Sequence, residues 1–491
     1  MNNRDGANQN TNNHTLTRKA KTRLFLFALL IHLIIVFVFI DLPIALDDMF
    51  QYDMLARSLV SGRGYRWYNQ ADVERLRPYL EQLLPLEEMT FPEEGIRTAH
   101  RPPGYPFFLA ALYLIHAGPQ RFALVRVVQA VLSASLSLLV VGIGEIIGLS
   151  KKDCVLAGLF ISLYPILLFF PLALASENVF IPLLTLAFYL AWRTKEKPES
   201  KGLLILLGFV LGFMVLTVAI SVLVMAVIVV WLFVSRKGQR KLIWIPVIIA
   251  LLLIMPWSVR NSFLMGEPAF VENSLWFNMY IGYHPEGNGN FKSSIAVRPL
   301  FITDNAQREA YTRRNAIAFI QHDPLEALRR ILIRIPAFLG PETRGFNFFY
   351  SNNLIGHIPQ PWISMIYLLL TLPWFFVSLF GTIGIATSTN KAFSVLAGFA
   401  SLFFFLPHLP ILTEPRFHLP LVPLLIPFAV ASFRMLTTKN AWKVGLTKQQ
   451  KIILGLIVVF FVSVWAYQIT TDLPLYLQLL GPDGNRIGLT Y

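Results

Sequence analysis

Two aspartates, Asp47 and Asp48, stand directly after the first long apolar run of the chain. One structural use is open to them, capping of the helix that follows, which is worth about 1 kcal/mol. One carboxylate fills that role and leaves the second unexplained. The chemistry that suits acids at a membrane surface is removal of a proton from an attacking hydroxyl or amine. Other groups fit such a centre. In His100-Arg101-Pro102-Pro103-Gly104-Tyr105-Pro106, two prolines fix the backbone that enters a helix and set the direction of the preceding side chains. Glu177 lies between two apolar runs, close to the hydrocarbon boundary, where a carboxylate is expensive and a functional role is the default. Arg260-Asn261 after Pro256-Trp257, and Glu414-Pro415-Arg416-Phe417-His418, also fall at span ends. Taken singly, each arginine could be a headgroup anchor. Together the residues suit a base, Asp47 or Asp48, plus an anion clamp made of His100, Arg101, Arg260 and Arg416.

The elements that must carry these residues to one place are membrane helices. The chain is 55% hydrophobic and 14% charged, with mean hydropathy +0.57. A soluble domain carries about a quarter charged residues, so an integral membrane protein is expected. The net charge of +14 reflects Lys and Arg collected in cytoplasmic loops, and nucleic acid is not an expected partner. The lone Cys154 excludes an internal disulfide. Residues 1–22 read as a disordered cytoplasmic tail, and the first apolar run is retained, since it lacks a small-residue cleavage site. Eleven spans are expected: 24–46, 122–148, 154–175, 178–192, two short ones within 202–234 turning near Thr217 to Ser221, 242–259, 362–386, 392–411, 417–433 and 452–470. Basic residues at Lys151-Lys152, Arg193 to Lys201, Arg236 to Lys241, Lys391 and Arg434 to Lys451 mark the cytoplasmic ends.

The non-cytoplasmic side then receives 47–121, the turn at Glu177, the segment 260–361 and the turn His408 to His418. Met49, Tyr52, Leu55, Ala56 and Leu59 recur at helical spacing until Gly62 and Gly64, which predicts an amphipathic helix along the membrane. The 13 residues 105–117 are too short to cross and should lie in the interface. In 260–361, Asp304 and Asp323-Pro324 should start two surface helices. In the second, Leu325, Leu328, Ile331, Leu332 and Ile335 with Arg329, Arg330 and Arg334 suit an anionic membrane surface.

These residues also carry a resemblance. Asp47-Asp48, then Tyr52 and Ala56-Arg57-Ser58-Leu59-Val60-Ser61-Gly62, are followed by Arg101-Pro102-Pro103-Gly104-Tyr105-Pro106. Ser176-Glu177, Pro256-Trp257-Ser258-Val259-Arg260-Asn261 and Arg416-Phe417-His418-Leu419-Pro420 complete the ordered set. The chain resembles bacterial GT-C membrane glycosyltransferases, in the branch of protein O-mannosyltransferases (family 39) and lipid A aminoarabinose transferases. The resemblance implies an all-α GT-C fold, a polyprenyl-phosphate sugar as donor, and a lipid, glycan or protein acceptor on the non-cytoplasmic face of the inner membrane. It adds Tyr52 and Tyr105 to Glu177 as site candidates. The aminoarabinose transferases place a glutamate resembling a metal ligand before the basic-Pro-Pro motif. Here that place is His100, so a divalent metal ion held by Asp48 and His100 is a candidate cofactor. The basic residue and proline of relatives at the turn of the fifth and sixth spans are replaced by Leu216-Thr217-Val218-Ala219-Ile220.

The domains follow: a catalytic module 23–259 containing loop 47–121, an outward region 260–361, and a C-terminal module 362–491. The reading is inverting glycosyl transfer. Its rival, a transporter or flippase of a lipid-linked anion, needs charges at mid-membrane and an internal repeat. The ionisable residues in the expected spans are few: His32, Asp41 and Glu145.

Overall fold

The structure, a computed structural model, describes residues 15–488 apart from 82, 83, 85, 87, 88, 117, 119, 237 and 438–446. Most of the expected disordered tail lies outside the described residues, as does the middle of the basic stretch Arg434 to Lys451. Residues 18–22 of that tail are helical.

The apolar runs form helices, as a backbone without water partners requires. Helix α1 (Arg18–Val38) starts at Thr17, whose hydroxyl accepts the Ala20 N–H. Helix α2 (Asp48–Val60) stops at Gly62 and Gly64, whose φ of +76° and +80° would strain any side-chain-bearing residue. Strand β1 (Arg66–Trp67), helix α3 (Gln70–Leu80) and strand β2 (Ile96–Arg97), antiparallel to β1, were not foreseen. They are too short and too polar to show a periodic signal. Helix α4 (Gly104–Ile115) lies along α2 rather than across the membrane: Tyr105 at its start packs edge-on to Tyr52 (4.9 Å), and Tyr113 at its end donates to Asp53 (2.9 Å).

Helices α5 (Arg121–Ile146), α6 (Lys151–Ser162), α7 (Pro165–Phe169), α8 (Glu177–Glu196), α9 (Lys201–Thr217), α10 (Val222–Ser235) and α11 (Trp244–Met265) complete the first module. Residues 260–361 hold five helices where two were expected: α12 (Leu275–Tyr283), α13 (Ser293–Leu300), α14 (Asn305–His322), α15 (Pro324–Leu339) and α16 (Arg344–Ser351). Asp304 and Asp323 cap α14 and α15 as expected. Helices α17 (Trp362–Thr387), α18 (Lys391–Phe405), α19 (His408–Ile411), α20 (Val422–Thr437) and α21 (Lys448–Leu479) follow.

This is a multi-pass membrane protein. Among the described residues, seven helical stretches are long and apolar enough to cross a membrane, or eight if α6 with Pro165–Leu172, bent by 54°, is one span. The expected spans at 178–192 and within 202–234 are the helices α8, α9 and α10, with a 3-10 turn Ala219–Ser221 at the foreseen reversal. None of the three is by itself a crossing by length and composition.

Contacts sort the helix ends into two groups. At one end Lys21 pairs with Glu145 (2.8 Å), Arg434 with Asp153 (2.8 Å), and Asn390 donates to the Ile146 carbonyl (2.8 Å). There too the Trp231 indole donates to the Ala392 carbonyl (2.8 Å). These are the ends marked as cytoplasmic by their basic residues. Asp47, Asp48, Arg101, Glu177 and Arg416 gather at the other end, where Gly104 meets the end of α9. A Cβ on Gly104 would come within 2.5 Å of the Thr217 hydroxyl. His32, within α1, is bonded to the Ala28 carbonyl and to Ser133, and Glu145, near the end of its span, to the Leu16 N–H and Lys21.

Helix α15 corrects one expectation. Leu325, Leu328 and Leu332 face outward, but Arg330 and Arg334 are buried rather than free for lipid headgroups. Arg334 donates to the carbonyls of Gly282 (2.7 Å), Leu409 (2.9 Å) and Gly289 (3.3 Å), and Arg330 to those of Gly282, His284 and Gly287. The loop after α12 folds over both guanidinium groups, which donate to its carbonyls in a space closed to solvent. Arg334→Met should therefore destabilise the protein by at least about 3 kcal/mol, since hydrogen bonds to charged groups contribute about 1.5–3 kcal/mol each. Thermal unfolding checks this, and an unchanged melting temperature would refute it.

Candidate active site

The approach to the site is fixed before its first residue. Buried Arg126 on α5 donates to the carbonyls of Ile40 (2.6 Å), Leu42 (2.5 Å) and Leu172 (3.0 Å). It thereby ties the exit of α1 to the turn that precedes Glu177. Asp47 then caps α2, with Oδ1 accepting the Met49 N–H at 2.9 Å. Asp48, in the first turn, faces two arginines. Its Oδ1 pairs with Arg101 and its Oδ2 with Arg416 Nη2 at 3.0 Å.

Arg101 is held from a second direction. Its Nε and Nη2 donate to Gln51 Oε1 at 2.9 and 2.7 Å, and Gln51 Nε2 donates to the Tyr68 hydroxyl at 3.0 Å. Gln51 lies three residues after Asp48 and so shares its helix face. Sequence reasoning missed it, although that spacing was a usable signal. The Arg101 guanidinium also covers the Tyr52 ring at 5.5 Å. Arg416 Nε stands 3.6 Å from Glu414 and 3.9 Å from Glu177, and Glu414 pairs in turn with Arg344. Three carboxylates (Asp48, Glu177, Glu414) thus face three guanidinium groups (Arg101, Arg344, Arg416).

The paired aspartates are electrostatically unlike. Burial raises the Asp47 pKa and the charge of Asp48 raises it further, against the Met49 N–H. For Asp48 burial also opposes ionisation, but Arg101 and Arg416 overcome it and hold the carboxyl well below the usual range. Asp48 is therefore a fixed anion with both oxygens taken, and Asp47 the more basic. Arg101 stays charged, because Asp48 more than offsets its desolvation. Burial lifts the Tyr52 phenol to about 12, so it remains a neutral hydroxyl. Glu272 and Glu342, neither singled out from sequence, are pushed up to about 7 by burial, with Arg101 and Arg416 respectively opposing.

Three expected site residues stand elsewhere. Among the described residues, the Arg260 guanidinium pairs with none of the acids that hold Arg101 and Arg416. It donates to the Thr98 carbonyl (2.5 Å), Asn261 (2.9 Å) and the Tyr65 carbonyl (3.4 Å), and it covers the Trp257 ring at 4.9 Å. Its neighbours on the 98–101 segment are nearer than any acid. His100 is buried between Trp67 (5.3 Å) and Phe277 (4.6 Å), and burial with the nearby Arg308 keeps it neutral. A neutral ring in an aromatic core is not an anion ligand. Tyr105 donates to Gln129 (2.7 Å) and serves the packing of α4.

Asp48 and His100 do not fit a metal centre. Both Asp48 oxygens are committed to arginines, the two residues share no partner, and among the described residues no group of three or more His, Cys, Asp or Glu could hold an ion.

Residues 100–259 match the family described as dolichyl-phosphate-mannose-protein mannosyltransferase. No curated protein matches the chain in sequence. Similar solved structures include the oligosaccharyltransferase of Archaeoglobus fulgidus tethered to an acceptor peptide, at 12% identity and a TM-score of 0.47 over 97% of this chain and 59% of that one. The same enzyme with an inhibitory peptide and a dolichol-phosphate gives 14% and 0.47 over 94% and 58%. Its apo form gives 11% and 0.48 over 94% and 58%. This chain thus spans under three-fifths of the length of those structures. The motifs around Arg101 and Glu177 lie inside the matched stretch, which covers about a third of this chain.

Proposed function

We propose that the protein is an inverting glycosyltransferase that moves a sugar from a polyprenyl phosphate to a lipid, glycan or protein acceptor at the non-cytoplasmic face of the inner membrane. The observation that carries this is the pairing of a basic carboxylate, Asp47, with two arginines that converge on Asp48 beside it. Asp47 takes the proton of the acceptor hydroxyl or amine as that group bonds to the anomeric carbon. The bond from that carbon to the phosphate oxygen breaks on the opposite face, and its electron pair leaves with the phosphate. Arg101 and Arg416 keep N–H groups beyond those given to Asp48 and Gln51, and these stabilise the departing charge. Asp48 holds both guanidinium groups in place beforehand, so little reorganisation is needed when the phosphate arrives. The family's donor chemistry and the placement of the acids at a span mouth both support this reading.

The test is transfer by the purified full chain in nanodiscs, with polyprenyl-phosphate sugars and nucleotide sugars offered in parallel. Transfer from the lipid-linked donors alone is expected. Movement of a lipid-linked donor across proteoliposomes without transfer would favour the transporter instead. Orientation has its own test. With Cys154 replaced, Gly287→Cys and Asn288→Cys are expected to react with an impermeant thiol reagent from the non-cytoplasmic side. Labelling only from the cytoplasm would invert the assignment.

A further inference from the structure

We infer that Asn305, some 200 residues away in sequence, is a positioning residue for Arg101. Its side-chain amide acts as a strand partner for the 97–101 segment. Nδ2 donates to the Arg97 carbonyl at 2.8 Å, and Oδ1 accepts the Ala99 N–H at 3.1 Å. Those two groups point the same way from β2, as alternate residues of a strand do. Arg308, one helical turn on, donates to the same Oδ1 at 2.6 Å, so the amide cannot flip without placing two donors face to face. Asn305 is 4% exposed and Arg308 2%, which excludes water as a substitute partner.

Other backbone groups of the segment are gripped as well. Thr98 C=O accepts from Arg260, Ala99 C=O from the Asn273 N–H (3.0 Å), and the Arg101 and Pro102 carbonyls from the Tyr65 hydroxyl (2.9 and 3.1 Å). Asn305 and Asn273, from the region after α11, thus help to aim the Arg101 side chain without themselves entering the site. Arg260 belongs to this grip and not to the clamp. Asn305 meets both a backbone acceptor and a backbone donor of the segment with one side-chain amide.

The binding arm of the test rests on the donor-phosphate reading, while the exchange arm does not. In full-length protein in nanodiscs, Asn305→Ala is expected to accelerate amide hydrogen exchange in the 96–101 segment and leave transmembrane peptides unchanged. It is also expected to weaken binding of undecaprenyl phosphate about 10-fold or more, since an ångström of misplacement can cost about 10²-fold. In an Arg101→Ala background the same change should cost less than about 2-fold, because sites that act through one another are not additive. Asn305→Asp keeps the Ala99 N–H bond and loses the Arg97 one, so it should fall between the two and serves if the alanine variant does not fold. Unchanged exchange in 96–101, or acceleration spread across the protein, would overturn the inference. Equal losses of binding with and without Arg101 would also overturn it. If the unmodified protein binds no polyprenyl phosphate, the donor reading fails, and the exchange result alone decides the positioning role.

Discussion

Asp47→Asn is expected to lower the rate of glycosyl transfer by about 10²–10⁴-fold, the range typical for loss of a positioned general base. The fold should survive, because Asn caps a helix about as well as Asp and its Oδ1 can still accept the Met49 N–H. Stability works in the same direction. The folded-state pKa of Asp47 lies above its ordinary value, so its ionised form costs stability as pH rises through that pKa, and an amide removes the cost. At neutral pH the variant should melt at the same temperature or slightly higher, with donor binding retained. Asp48 has the opposite sign. Its depressed pKa contributes stability that is present at neutral pH and lost only as pH falls through the folded value, so Asp48→Asn should destabilise. The pH profile separates the two acids again. Activity of the unmodified protein should fall on the acid side at a pH above that of an ordinary carboxylate. Full activity in the Asp47→Asn, Asp48→Asn double variant would end the catalytic reading.

Arg101→Gln and Arg416→Gln are each expected to cost about 10²–10³-fold in transfer, comparable to removal of one preorganised donor from an oxyanion site. Arg101→Lys should rescue little. A single ammonium cannot reproduce the fork that reaches Asp48 and Gln51 together. Arg416→Lys should be milder, since its hydrogen bond to Asp48 runs through one nitrogen. Arg329→Gln sets the scale for an arginine outside the site. It is exposed and paired only with Glu326 on its own helix, so its loss should cost about 1 kcal/mol or less. Turnover and donor affinity measured on all five variants would check the ordering. An Arg416→Gln enzyme with unaltered turnover would remove that residue from the clamp.

What was legible in the sequence is what residue type and near spacing control. Long apolar runs must become helices, because their backbone has no other partners in lipid. One of Asp47 and Asp48 had to be a helix cap, Gly62 and Gly64 had to end that helix, and 105–117 was too short to cross. The nearness of Asp48 to Arg101 was legible only as two motifs in the same outward loop. Tertiary packing decided which distant arginine completed the pair. Arg101, Arg260 and Arg416 look alike from sequence, since each is a long flexible cation at a span end with several partners within reach. Arg260 met the Thr98 and Tyr65 carbonyls and the Trp257 ring first, whereas Arg416 was carried by the turn before α20 onto Asp48 Oδ2. Arg330 and Arg334 were drawn inward for the same reason, by backbone carbonyls within reach of both guanidinium groups. A guanidinium goes to the nearest set of acceptors that water cannot serve, and only the folded chain determines where those acceptors lie.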